Sequence, residues 1–235
     1  MFSDSCIKLK LYRLRIHWSM LRKICTVGIP AALQMTITSF SNVFVQSYIN
    51  YFGADCMSGW TTYSKVDQLI FLPMQSIALA STTFVGQNLG KNQPERARKG
   101  VRNALLIALA STAIMMIPVI IFAAPVVRFF NAKPEVVEFC TVFLHWITPF
   151  YLLCVFNQVY SGALRGAGNS KVPMIIMLAS FVAFRQVYLF IMARVCNEIL
   201  PIAMGYPAGW LLSAILTAAY YHKAKLPKSR LLDDN

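Results

Sequence analysis

Apolar residues dominate six segments of the chain, each roughly 20 residues or longer, which is enough for a helix to cross a bilayer. The runs are continuous and lack the period-two alternation of a transmembrane β-barrel. The pattern predicts an all-α integral membrane protein, a bundle of six transmembrane helices. The predicted spans are Val27–Tyr51, Ser58–Val85, Asn103–Ala124, Phe139–Ser161, Val172–Val195 and Ile199–Tyr221.

Basic residues fall on one side of these spans. Of the 22 lysines and arginines, 17 lie before the first span, in the second and fourth connections, or after the last span. The positive-inside rule therefore predicts a multi-pass protein of the plasma membrane with both termini in the cytoplasm. The expected organisation is a basic, linker-like cytoplasmic segment (residues 1–26), a six-helix lobe (27–222) and a cytoplasmic tail (223–235). The first residues show no apolar core followed by a small-residue cleavage site, so no cleavable signal peptide is expected.

A polar stripe runs along the first span. Its members recur every four residues and share one drifting helix face. They hydrogen-bond between helices or line a watery cavity, and four in a row favour the cavity. Further polar residues in the second, fourth and fifth spans are expected along the same substrate path. The predicted path residues are Gln34, Thr38, Asn42, Gln46, Gln68, Asn157 and Gln186.

Two opposite charges stand near the start of the second span. Lys65 and Asp67 are two positions apart and point in nearly opposite directions on a helix, so each needs a partner on another helix, or water. At 1.5 Å per residue, Asp67 lies roughly 9 Å and Arg185 roughly 15 Å from the same end of the membrane. We therefore predict that Asp67 takes up and releases a proton or cation, with Lys65 and Arg185 as its charge partners. The alternative is that Lys65 only snorkels to the surface and Asp67 only completes an ion pair.

Composition supports the membrane assignment and narrows the chemistry. The 235 residues are 57% hydrophobic and 13% charged, with a net charge of +13, whereas soluble domains carry about 25% charged residues. Because the positive charge clusters between apolar spans, the predicted partner is membrane lipid and not nucleic acid. Six cysteines form no CxxC pair and three histidines are far apart. The sequence therefore predicts no metal site, no cofactor, no catalytic residue and no membrane-embedded enzyme, which would need clustered acid–base groups.

Glycine and proline mark the sites where helices pack closely or bend. "GQNLG", "GALRG" and "GYPAG" have the small-xxx-small spacing that lets membrane helices approach each other. Prolines lie in or at the edges of five spans and predict kinks, as expected of a protein that changes shape. They are Pro30, Pro73, Pro118, Pro149 and Pro207.

Two stretches of the chain are more specific than generic membrane sequence. "TTFVGQNLGKNQPERARKGVR" closes the second span, and "SGALRGAGNSKVPM" joins the fourth to the fifth. Both resemble the multidrug and toxic compound extrusion family of cation-coupled exporters. "VGIPAALQMTITSFSNVFVQSYINYFGAD" is similar to the start of that family's carboxy-terminal lobe, and "RLRIHWSMLRKI" to the linker between its lobes. "SKVDQ" resembles a charged pair found in a bacterial branch of the family.

The resemblance implies one of two six-helix lobes, with the substrate path between them and the amino-terminal lobe missing here. It implies export of a small organic cation coupled to entry of protons or sodium ions, by rocking of one lobe against the other. Two alternatives remain open. One is a flippase of related architecture for lipid-linked oligosaccharides, whose cavity would be more basic. The other is a membrane interaction subunit that does not transport.

Overall fold

Helices account for the regular structure of the chain. The computed structural model describes residues 17–196 and 198–224, and every regular element within them is helical. In chain order these are α1 (Trp18–Asn50), α2 (Ala54–Gly90), α3 (Pro94–Ile121), α4 (Ala123–Phe130), α5 (Pro134–Ile147), a 3-10 turn (Thr148–Phe150), α6 (Tyr151–Gly166), α7 (Lys171–Leu178), a π-helical segment (Ala179–Phe184), α8 (Arg185–Val195), α9 (Ile199–Ala203) and α10 (Gly205–Lys223).

Six of the described helical rods are long and apolar enough to cross a membrane, which confirms the predicted number of spans. They are Trp18–Asn50, Ala54–Gly90, Pro94–Ile121, Pro134–Gly166, Lys171–Val195 and Ile199–Lys223. The first rod starts at Trp18 rather than Val27, so helix extends into the segment predicted as a linker. Most of that segment (residues 1–16) and most of the predicted tail (225–235) lie outside the described residues.

The core lies where α2 meets α5 and α6. The second rod also contacts α3, while α1 packs on α7, α2 and the π-helical segment. Side chains such as Phe143, Tyr151 and Met74 are fully buried there. Many large apolar side chains elsewhere point outward, including Phe40, Leu79 and Ile114. Such exposure would be costly in water, and it suits helices whose outer faces meet lipid.

Glycines bring α2 and α6 into close contact. A Cβ at Gly162 would lie 2.5 Å from the carbonyl oxygen of Ala78, and one at Gly166 would collide with the carbonyl oxygen of Thr82. The hydroxyl of Thr82 lies 2.9 Å from the Gly162 carbonyl oxygen and donates to it. The "GALRG" spacing therefore serves the helix packing predicted for it.

Three of the described rods are interrupted: the fourth, the fifth and, at Met204 between α9 and α10, the sixth. The fourth contains the 3-10 turn, with Pro149 in its middle, because proline cannot donate to the preceding helical turn. The fifth contains the π-helical segment, which ends directly before Arg185. Proline explains the first interruption, whereas the second occurs in "ASFVAF", which contains neither proline nor glycine.

Candidate functional site

Asp67 accepts hydrogen bonds from two tyrosines of the lobe. The hydroxyl of Tyr151 donates to Asp67 Oδ1 in a short contact, and the hydroxyl of Tyr63 lies 3.5 Å from the same oxygen. The two tyrosine hydroxyls are 2.9 Å apart. Tyr63 precedes Asp67 by one helical turn on α2, whereas Tyr151 is the first residue of α6. We call Tyr63, Asp67 and Tyr151 the carboxylate triad.

Aromatic rings surround the triad. The ring of Trp60 lies 5.0 Å from that of Tyr63, and the ring of Phe71 lies 5.2 Å from that of Tyr151. Trp210 on α10 completes this wall, with its ring 5.5 Å from that of Tyr151. In such a low-dielectric setting, hydrogen bonds to a charged group are stronger than they are in water.

Arg185 occupies a second polar cluster, held by α1. Its guanidinium group donates to Ser41 Oγ and to Asn42 Oδ1, both at 2.8 Å. The adjacent Gln186 donates to Ser41 Oγ at 3.0 Å. Arg185 is only 3% exposed, so these neutral acceptors replace much of the water that the cation loses on burial.

The π-helical segment sets the position of this second cluster. Ser41 Oγ donates at 3.1 Å to the carbonyl of Phe181, inside that segment. A π turn is typically found at functional sites because it leaves a backbone group open to an outside partner. Ser41 therefore contacts the π segment and both polar side chains that follow it.

Tyr206 connects the two clusters. The guanidinium carbon of Arg185 lies 4.7 Å from the centre of the Tyr206 ring, and the Tyr206 hydroxyl is 3.5 Å from Asn42 Oδ1. On its other side the ring lies 5.2 Å from that of Trp60. Since Trp60 also contacts Tyr63, an aromatic layer separates the anion from the buried cation.

The structure does not form the direct ion pairs expected for Asp67. Within residues 17–196 and 198–224 the ion pairs are Arg98 with Glu95 and Lys133 with Asp55. Lys65 is exposed, on the face of α2 opposite the triad, as the two-residue spacing requires. Asp67 thus faces phenol hydroxyls, and Arg185 faces neutral oxygens and an aromatic ring.

The predicted path residues separate into three groups. Asn42 and Gln186 belong to the Arg185 cluster, and Thr38 precedes it on α1 with a buried hydroxyl that has no partner among the described residues. Gln34 is buried about two helical turns before Asn42, where it accepts from Arg165 at 3.3 Å and donates to the sulfur of Met177. Gln46 and Gln68 are exposed.

Asn157 serves helix packing. It is 2% exposed, and its Oδ1 accepts from Ser161 at 3.3 Å and from Thr217 at 3.2 Å. The bond from Thr217 joins α6 to α10, whereas Ser161 lies one turn further along α6 itself. For Asn157, as for Gln34, the structure shows hydrogen bonds between helices and not the cavity lining that was expected.

Sequence reasoning missed the tyrosines of both clusters. Tyr63 was visible as a residue on the face of Asp67, one turn away. Tyr151 and Tyr206 gave no such signal, because an aromatic residue in an apolar span is typical of ordinary core. No group of histidine, cysteine or acidic residues that could hold a metal ion occurs in the described part of the chain.

The fold defines a multi-pass helical membrane protein with polar clusters inside its spans. A family model, MatE, matches residues 30–191, which is more than half of the chain. The chain therefore belongs to the MatE family, the multidrug and toxic compound extrusion family that its sequence resembles. The family points to a transporter and not to an enzyme.

Curated relatives and solved structures agree with this assignment. The chain is 23% identical over 209 residues to the probable multidrug resistance protein YoeA of Bacillus subtilis, covering 88% of this chain and 45% of the relative. It is 28% identical over 177 residues to the probable multidrug resistance protein NorM of Thermotoga maritima, covering 75% and 38%. A MATE protein solved in complex with MaL6 superposes with a TM-score of 0.87 at 18% identity, covering 96% of this chain and 52% of that one. The chain thus spans about half the length of the relatives it matches, and the structural likeness shows the fold.

Proposed function

We propose that this chain forms one lobe of an antiporter that exports small organic cations as protons or sodium ions enter. The observation that carries the proposal is the carboxylate triad, an acid bound by two tyrosine hydroxyls inside an aromatic wall. The curated relatives named above are multidrug resistance proteins by name, which supports the same substrate class.

The triad has suitable chemistry for ion coupling. A tyrosine hydroxyl can donate to a carboxylate or accept from a carboxylic acid, because its proton rotates. Asp67 can therefore keep its hydrogen bonds in either protonation state, with Tyr151 or Tyr63 reversing its role. The three oxygens also offer hard ligands to a sodium ion. The coupling ion is accordingly a proton or sodium.

The aromatic layer suits an organic cation. Aromatic faces attract cations through their quadrupole, and the rings of Trp60, Tyr206 and Trp210 lie between Asp67 and Arg185. An ion bound at Asp67 changes the charge beside this layer. Coupling would follow if the layer binds the drug while Asp67 is charged and releases it once Asp67 is neutralised.

A path between lobes needs a second lobe. We propose that this lobe works with an amino-terminal lobe, that transport proceeds by rocking of one against the other, and that the protein resides in the plasma membrane with both termini in the cytoplasm. The basic asymmetry of the sequence supports this orientation.

The test is drug export by the chain with and without a supplied amino-terminal lobe, such as that of the Thermotoga maritima relative. Efflux of a fluorescent organic cation is measured in a sensitised host under imposed proton and sodium gradients. We expect efflux only with both lobes, driven by one of the two gradients. Export by the chain alone, in a host without endogenous relatives, would contradict the need for a second lobe.

Asp67→Asn then tests the triad in the two-lobe protein. Asparagine keeps an acceptor for Tyr151 but removes the titratable charge, so gradient-driven export should stop while yield and thermal stability persist. The matched control is Asp55→Asn, which lies on the same helix and pairs with Lys133 at 2.6 Å in an exposed position. The hydrogen bond to Asp55 raises the pKa of Lys133, yet an exposed pair contributes little to stability because solvent screens it. Equal export by wild type and Asp67→Asn would refute the coupling role.

A further inference from the structure

A groove of about 680 Å³ opens between α3, α6 and α10. It lies at the basic end of the lobe, where α2 ends and α3 begins. Two arginines of the first turns of α3, Arg98 and Arg102, line it together with Tyr160, Tyr221 and His222. The triad and the Arg185 cluster contribute no residue to its lining. The groove is therefore a separate site from the one described above.

The groove has a charged mouth and an apolar interior. Val101 and Leu105 also line it, and each follows an arginine by three positions on the same face of α3. Arg102 directly precedes the apolar run that begins at Asn103. The arginines therefore lie at the depth where a span leaves the hydrocarbon, with Val101 between them in depth and Leu105 below them.

The aromatic wall of the groove is a stack of three rings. The rings of Tyr160 and Tyr221 stack with centres 4.5 Å apart, and the His222 ring meets Tyr160 edge-on at 5.7 Å. This stack joins α6 to α10 and fixes the side of the groove that faces the arginines. Tyrosine hydroxyls and the histidine ring add hydrogen-bonding groups beside the two cations.

One acid moderates the positive charge. Arg98 Nη1 lies 2.8 Å from Glu95 Oε1, and both side chains are substantially exposed. This contact occupies one nitrogen of a guanidinium group that carries five N–H donors in a planar fork. Arg98 can therefore hold Glu95 and an incoming anion together, and Glu95 must weaken the binding of that anion.

We infer that this groove binds an acidic phospholipid, with its phosphate between Arg98 and Arg102 and an acyl chain along Val101 and Leu105. Guanidinium forks match phosphate oxygens in charge and geometry. Basic pockets between transmembrane helices are suited to anionic headgroups. A soluble phosphate would use the arginines but gain nothing from the apolar part of the groove, which favours the lipid as the occupant.

Lipid binding to the full 235-residue chain tests the inference. The purified chain in detergent is titrated with phosphatidylglycerol or phosphatidylcholine, and bound lipid is counted by native mass spectrometry. We expect phosphatidylglycerol to bind at least about tenfold more tightly than phosphatidylcholine. Its headgroup carries a net negative charge, whereas the ammonium group of phosphatidylcholine cancels the charge of the phosphate. Equal affinity for the two lipids would overturn the site.

Matched charge variants locate the binding. The double variant Arg98→Gln with Arg102→Gln should raise the dissociation constant for phosphatidylglycerol by about thirtyfold. Lys91→Gln with Lys99→Gln removes the same charge from exposed positions of the same region outside the groove lining, and should change it less than about twofold. Equal losses in the two double variants would show general surface attraction and refute the groove.

Two further measurements keep the result decisive. Glu95→Gln should tighten phosphatidylglycerol binding, and weaker or unchanged binding would count against the site. This variant tests the groove even if the double arginine variant fails to fold. Inorganic phosphate in large excess should not displace the lipid. Displacement at a concentration similar to that of the lipid would mean that the groove takes a soluble anion instead.

Discussion

The hydroxyl groups of Tyr63 and Tyr151 lie 2.9 Å apart, although 88 residues separate them in sequence. Both point at the same oxygen of Asp67. The α2–α6 packing that places them there depends on Gly162 and Gly166, further along α6. Helix packing and the candidate coupling site are thus parts of one arrangement.

Removing the hydroxyl of Tyr151 should impair export more than removing that of Tyr63. The Tyr151 contact with Asp67 is the closer of the two, and a hydrogen bond to a charged group contributes about 1.5–3 kcal/mol. In the two-lobe protein we expect Tyr151→Phe to lower the initial export rate about tenfold or more, and Tyr63→Phe to lower it less. Tyr188→Phe is the control, because its hydroxyl donates to the Pro201 carbonyl instead. Equal rates for Tyr151→Phe and wild type would exclude a role for the triad in coupling.

Arg185 should be required for stability as well as transport. Arg185→Gln removes the charged donor to Ser41 Oγ and Asn42 Oδ1, and a hydrogen bond to a charged group contributes about 1.5–3 kcal/mol. Arg185→Lys keeps the charge but loses the planar fork and the stacking on Tyr206, so it should recover only part of the stability. Thermal unfolding of the purified chain in detergent measures both.

The control for that comparison is Arg194→Gln. Arg194 is exposed and stacks on Phe190 at 4.1 Å, so its loss should change the free energy of unfolding by no more than about 0.5 kcal/mol. Unchanged stability in Arg185→Gln would mean that water replaces the arginine without cost, and that the cluster is wetter than its 3% exposure indicates.

Adding one methyl group between α2 and α6 should destabilise the lobe. In Gly162→Ala the new Cβ would lie 2.5 Å from the Ala78 carbonyl oxygen and 3.1 Å from the Thr82 hydroxyl, so backbone must shift at a cost of about 1–3 kcal/mol. Gly90→Ala places the same methyl group in open space and should leave the midpoint of thermal unfolding nearly unchanged. A Gly162→Ala variant as stable as Gly90→Ala would contradict the close packing.

The basic end of the lobe should face the cytoplasm. Asn92 has a φ of 54°, where a cysteine would be strained, so exposed Gln93 is the better position for a labelling cysteine in that turn. Ala132, exposed between α4 and α5, serves the opposite side. In a cysteine-free background we expect an impermeant thiol reagent to modify Ala132→Cys in intact cells and Gln93→Cys only after lysis. The reverse pattern would invert the topology.

The sequence was sufficient for the number of spans because each is a continuous apolar run. It misplaced the start of α1, because the basic stretch from Trp18 to Thr26 lacks the apolar signature on which spans are recognised. It identified the proline at the break in the fourth rod. The sequence did not predict the break in the fifth rod, because no residue of "ASFVAF" forbids an ordinary α-helix.

The sequence predicted the charged residues of the candidate site but not the residues that bind them. Asp67 and Arg185 are conspicuous because ionised side chains are rare inside spans. Their direct pairing was an inference from depth alone, and depth does not fix the angle around each helix axis. In the structure Tyr206 and Trp60 lie between Asp67 and Arg185. Nothing in the sequence indicated this, because aromatic residues are common in apolar spans.

The π-helical segment sets the register of the second half of the fifth rod. A π turn contains one residue more than the α turn it replaces, so conversion to regular α-helix would move every residue after Phe184 by one position. At 3.6 residues per turn and 1.5 Å per residue, that is a rotation of about 100° and an advance of about 1.5 Å. Arg185 would swing away from Ser41 and Asn42, and Phe184 would turn toward the place it had held. Such a conversion would place an aromatic ring where a cation now lies beside Tyr206, by passing a single residue through the turn.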